Sequence, residues 1–245
     1  MSLSSATSSA TGTASDLLLR PAEARFHSRL DWLDSWHSFS FGHHHDPAWM
    51  GFGPLRVIND DTIAAGRGFD LHPHRDMEIV TVMVEGELTH RDSLGHGEVL
   101  RAGEVQRMTT GTGVLHSEKN ETDRPCRLLQ IWIQPSRAGL PPADEQKAFE
   151  IGADWTPLLD PQCSHGAMAI QRPLRLWRAR PGAGDSLPLT LPAGSLGWLQ
   201  LIDGGVRVAG ESLKRGDGLG FRGGVAQQLL SGPEGADLLF FEMLE

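Results

Sequence analysis

Twenty-nine glycines and fifteen prolines break this chain into short lengths, and the apolar runs left between them are too brief for helices. PLRVIND (54–60), MEIVTVMVEG (77–86), CRLLQIWIQP (126–135), LRLWRAR (174–180), GWLQLIDGGVRVAG (197–210) and ADLLFFEML (236–244) are rich in Val, Ile, Leu and Trp. Gly, Pro, Asn or Asp bounds each of them. Many short strands with regular turn signals predict an all-β sandwich or barrel. ADEQKAFE (143–150) is the exception, a stretch expected to make a couple of helical turns.

Two passages share a rhythm of apolar strand, glycine turn and short strand: VEGELTHRDSLGHGEVLRAGEVQRM (84–108) and LIDGGVRVAGESLKRGDGLGFRGG (201–224). Within them, EVLRAGE (98–104) and ESLKRGD (211–217) correspond in character position by position. A duplicated antiparallel β-barrel leaves this kind of trace. We therefore expect a tail over 1–19, a first barrel over 20–140, a connector over 141–165 and a degenerate second barrel over 166–245.

The opening MSLSSATSSATGTASD has neither a basic start nor an apolar segment, so it reads as a disordered tail and not an export signal. The expected address is the cytoplasm, and no run approaches the ~18–20 apolar residues that span a bilayer. A formal charge of −9 argues against direct nucleic-acid binding and leaves room for a protein partner. Arg172, Arg175, Arg178 and Arg180 fit a strand with alternating solvent-facing positions as well as they fit a phosphate site. Cys126 and Cys163 form no C-x-x-C pair and are expected to be free thiols.

Chemistry concentrates in FDLHPHRDMEIV (69–80) and GTGVLHSEKN (111–120). Side chains at i and i+2 of a strand share a face, so His72 projects with His74, and His116 with Glu118. Counted along the same strand, Glu78 would face inward too. Pairs on two strands of one barrel can converge on a point, and three imidazoles with one carboxylate suit a first-row transition metal. Solvated or hydrogen-bonded histidines produce the same pattern, so the residues alone leave both readings open. His43, His44 and His45 lie in an expected loop with no strand to hold them in register. The second barrel has no His-x-His before its strand, so any metal is expected in the first barrel only.

These segments, with LDWLDSWHSFSFG (30–42), MGFGPLRVINDD (50–61) and LLQIWIQP (128–135), resemble the pirin family of bicupins and its bacterial quercetinase-like members. The resemblance covers nearly all of residues 20–150. The first cupin motif is recognisable in Gly66, His72, His74 and Glu78, and the second in Gly103, His116 and Asn120. It implies two tandem cupin barrels with one divalent metal, Fe(II) by family expectation, held by His72, His74, His116 and Glu118. Glu78 is then a supporting residue and not a ligand.

The resemblance also implies a dioxygenase that opens the central ring of quercetin-like flavonols with O2, releasing carbon monoxide, with Glu118 as the base. The alternatives are an iron-dependent redox sensor that binds a protein partner, and a cupin enzyme acting on another small molecule. The chain has no tyrosine, so no phenol side chain can take part. Val80, Val82, Phe41 and Met50 are candidates for apolar pocket walls, though each is equally at home in a core. Asp144 stands where relatives often carry an aromatic residue.

Overall fold

The computed structural model describes residues 17–244; the predicted tail over 1–16 lies outside them. In chain order the strands are β1 (Leu17–Arg20), β2 (Phe26–Arg29), β3 (Leu33–His37), β4 (Leu55–Ile63), β5 (Gly68–His74), β6 (Glu78–Glu85), β7 (Glu87–Asp92), β8 (Gly97–Arg101), β9 (Glu104–Thr109) and β10 (Val114–Lys119). They continue as β11 (Cys126–Ile133), β12 (Ala143–Ala148), β13 (Thr156–Leu159), β14 (Leu174–Ala179), β15 (Ser186–Leu191), β16 (Leu196–Val208), β17 (Glu211–Lys214), β18 (Gly218–Arg222) and β19 (Val225–Met243). The molecule is all-β with two cupin barrels, as the glycine and proline spacing and the family motifs predicted.

The first barrel closes a seven-stranded sheet, ordered β12-β9-β6-β11-β4-β3-β2, with a four-stranded sheet ordered β5-β10-β7-β8. The second is one eight-stranded sheet built on β1-β18-β16-β19-β14-β13. Between the barrels, Val80, Val82, Leu129 and Ile131 of the larger first sheet pack on Leu176, Trp198, Leu239 and Phe241. Burying such side chains contributes roughly 1.5–3 kcal/mol each before the entropy cost. A charged clasp joins this contact. Arg127 donates to Asp60 at 2.8 Å, to Asp203 at 2.8 Å and to the Ile202 carbonyl at 2.8 Å.

Three local expectations change. Val80 and Val82 are not pocket walls, because they belong to the core between the barrels. Asp76, at φ 52°, turns the chain between β5 and β6, so parity counted from His74 does not carry across. Glu78 is displaced with them. It accepts hydrogen bonds from Thr109 Oγ1 at 3.2 Å and from the Gln171 amide at 3.5 Å, on the sheet face turned away from the histidines.

Residues 143–148 form a strand and no helix, paired antiparallel to β9 from Ala143↔Thr109 to Ala148↔Glu104. Good helix formers give way here because the free edge of β9 offers backbone partners. The stretch 141–165 therefore carries β12 on the first barrel and β13 on the second.

At the start of the chain, residues 17–19 are also no tail, since β1 pairs with β18 in the second barrel. The arginines of 172–180 are tied to carboxylates: Arg178 and Arg180 to Asp237, and Arg175 to Asp160 and Glu242. No phosphate site is needed to account for those three. No helix of the described residues is long and apolar enough to cross a membrane.

Candidate metal centre

β5 and β10 lie side by side with His116 opposite His72 and Val114 opposite His74. This register brings the three imidazoles of the sequence motifs together. Their ring centroids are 4.4 Å (His72–His116), 4.8 Å (His72–His74) and 4.9 Å (His74–His116) apart. One ring nitrogen from each lies within 4.8 Å of the others.

Burial, reinforced by the neighbouring imidazoles, pushes His116 down to about 2 and His74 to about 4. Both rings are therefore neutral at physiological pH, with lone pairs free to bind. The Nδ1 of His72 lies 2.7 Å from the Asp70 carbonyl, so it carries the proton and leaves Nε2 as the donor atom. His116 is 1% exposed, and neither of its ring nitrogens has a hydrogen-bond partner. Buried polar atoms are seldom left unsatisfied, and a divalent first-row ion fits this nitrogen set.

Glu118 occupies a different position from the histidines. β10 shifts register between His116 and Glu118, and the Glu118 carboxylate lies outside the group of converging atoms. Both its oxygens accept from Gln130 Nε2 at 3.0 Å, and Thr81 Oγ1 in turn donates to Gln130 Oε1 at 3.0 Å. Burial raises the Glu118 carboxyl above its usual range, with the Gln130 hydrogen bond opposing.

These amides belong to a polar row that crosses the inside of the larger sheet. His37, Asn59, Gln130, Thr81, Gln106 and Gln146 are successive cross-strand neighbours on β3, β4, β11, β6, β9 and β12. Gln106 reaches across to His90 Nδ1 at 2.9 Å. His90, fully buried on β7 with its ring 5.3 Å from His116, was not predicted as a site residue. Its one sequence clue is inward parity on a strand. Asp144 reaches the same interior from β12, and burial raises its carboxyl to about 6.

His72, His74 and Glu118 open onto a cavity of about 360 Å³. Phe41, Phe69 and Trp132 form its aromatic sides, with Trp132 edge-on to His74 at 4.8 Å and to Phe41 at 5.5 Å. Phe41 is thus a wall, as anticipated, whereas Met50 is 48% exposed and does not line the cavity. His43 lines the rim. His44 is more ordered than its loop predicted, stacked on Phe26 with Nε2 3.1 Å from Ser28 Oγ. Ser28, Ser35, His37, Asn59 and Asp61 also line it, and none of them was predicted.

Two cupin barrels, the first with three histidines converging beside a cavity, define a bicupin with a candidate metal centre. The pirin family profile matches residues 20–133 and that of the quercetinase C-terminal cupin domain matches 158–243. The chain is 42% identical over 205 residues to quercetin 2,3-dioxygenase of Escherichia coli K12, covering 83% of this chain and 88% of that one. It belongs to the pirin family.

The crystal structure of YhhW from Escherichia coli superposes with a TM-score of 0.89 at 37% identity, covering 93% of this chain and 97% of that one. A second structure of that bacterial pirin, in complex with nickel(II), gives 0.88 at the same identity and covers 93% and 98%. GK1651 from Geobacillus kaustophilus, at 23% identity and 0.74, covers 93% and 96% and shares the fold.

Proposed function

We propose that this protein is a metal-dependent dioxygenase that opens the central ring of quercetin-type flavonols. The observation that carries the reading is the convergence of His72, His74 and His116, the first two of which open onto an aromatic-sided cavity. Relatives named quercetin 2,3-dioxygenase support the substrate class. We assign His72, His74 and His116 as metal ligands, and we give Glu118 the fourth position. Fe(II) is the ion we assign, and the nickel(II) complex of a relative makes a divalent ion the general expectation. When bound, such an ion supplies Lewis acidity and the one-electron chemistry that O2 requires.

The chain's own residues do the rest. Phe41, Phe69 and Trp132 stack against flat rings and exclude water from the reacting face. Glu118, whose carboxyl burial raises above its usual range, takes the proton of the substrate's 3-hydroxyl. Gln130 keeps that carboxylate aimed, and Thr81 fixes the Gln130 amide so that its N–H2 faces Glu118.

The test is loss of quercetin absorbance under air by protein reloaded with Fe(II), beside a His116→Ala variant handled identically. Oxygen-dependent loss that disappears in the variant is expected. Stoichiometric metal binding without quercetin loss would overturn the reading.

A further inference from the structure

The cavity has a second polar wall that the histidine triad does not use. β3 and β4 run antiparallel with Ser35 opposite Asp61 and His37 opposite Asn59, and all four residues line the cavity. Three of the four are committed to protein partners. His37 Nδ1 lies 2.8 Å from Asn59 Oδ1, and its Nε2 lies 2.9 Å from Ser28 Oγ. Ser35 Oγ donates to Asp61 Oδ1.

Asp61 is the exception. It is 3% exposed, and among the described residues Ser35 is the only side chain that hydrogen-bonds to it. The side-chain charges that act on it, Asp60 and Glu118, have its own sign, and no Lys or Arg side chain hydrogen-bonds to it among the described residues. A buried carboxyl with an uncommitted oxygen is costly unless something in the cavity donates to it.

We infer that this wall is a recognition subsite for the hydroxylated outer ring of an aromatic ligand, with Asp61 accepting a hydrogen bond from a ring hydroxyl. The inference rests on the flavonol reading above and goes further, because it makes Asp61 a specificity-determining residue. The aromatic sides admit any flat ring system, whereas Asp61 discriminates by hydroxylation. An acceptor left unpaired by an unhydroxylated ring penalises that ligand, and this is how a polar pocket rejects an analogue lacking one group. Burial already holds the Asp61 carboxyl up at about 7, and a donating hydroxyl would favour its ionised form.

The experiment compares quercetin with 3-hydroxyflavone, which keeps the reacting groups but lacks the outer-ring hydroxyls. Both are titrated anaerobically into metal-loaded protein by calorimetry, and both are then assayed for turnover under air. Wild type is expected to prefer quercetin. Asp61→Asn is expected to weaken quercetin binding about tenfold while changing 3-hydroxyflavone less than about twofold. In turnover the change falls on KM and not on kcat. Asp61→Ser carries the same test if the first variant fails to fold.

A preference for quercetin that survives in the variant, or is absent from wild type, overturns the inference and leaves the dioxygenase reading intact if turnover persists. Preferential binding that is lost in the variant, without any turnover, upholds the wall and removes the dioxygenase reading. Binding of neither flavonol removes both.

Discussion

The two barrels share a fold and differ in what fills them. Inside the second, Leu187, Leu189, Leu199, Leu201, Leu229, Leu238 and Phe240 pack into a closed apolar cluster. Inside the first, apolar residues gather in two smaller groups, around Leu33, Met83 and Leu128 and around Ile79, Met108 and Val114. Between these runs the polar row from His37 to Gln146. Apolar packing fills the interior of the second barrel. The first gives up part of that packing to hold amides, carboxylates and imidazoles in fixed positions, and its stability depends in part on the hydrogen bonds among them.

The sharpest way to break this contrast is to exchange effects between the barrels. His116→Ala is expected to lower flavonol turnover about a hundredfold or more, with metal content measured alongside. Leu201→Ala, at a comparably buried position in the second barrel, should cost about 2–5 kcal/mol in urea denaturation. It should leave kcat of the folded enzyme within about twofold. A large loss of kcat in Leu201→Ala would mean that the second barrel does more than support the first.

Thr81→Val tests the polar row with almost no change of volume. It removes the donor that orients Gln130, and a drop in kcat of about tenfold with less than about 1 kcal/mol of destabilisation is expected. The smallest effect is a pH dependence of the metal-free protein. His74 and His116 titrate lower in the folded protein than in the unfolded chain, so between about pH 6.5 and 4 the unfolded chain binds more protons. Stability should therefore fall as pH drops below about 6.5, by about 1 kcal/mol for each of the two rings at pH 5.5. Urea midpoints at pH 7.5 and 5.5 check this, and a midpoint that rises on acidification would contradict it.

The triad was legible in the sequence because strand parity is a local rule, and both His-x-His and His-x-Glu stay within one strand. Parity failed for Val80, Val82 and Glu78 at a single residue, Asp76, whose left-handed backbone turns the chain before β6. The opposite wall was legible only in principle. LDSWH alternates a leucine, a serine and a histidine on its inward face, and β4 sets Asn59 and Asp61 opposite them. Such polar residues at core positions look like an ordinary solvent-facing strand until the partner sheet is known. The 143–150 stretch misled for a similar reason, because its helix propensity is intrinsic and the edge of β9 is not visible from within it.

The pairing of β1 with β18 ties assembly to chain order. Leu17–Arg20 leave the ribosome before either barrel exists, yet their partner strand is made some two hundred residues later. The second sheet thus has a contact of very long sequence separation at its margin, the kind that forms slowly. The first barrel can close during synthesis, whereas the second waits for a segment already made. A cut between the barrels would therefore yield two fragments that are each incomplete, the first carrying an orphan strand and the second an open edge.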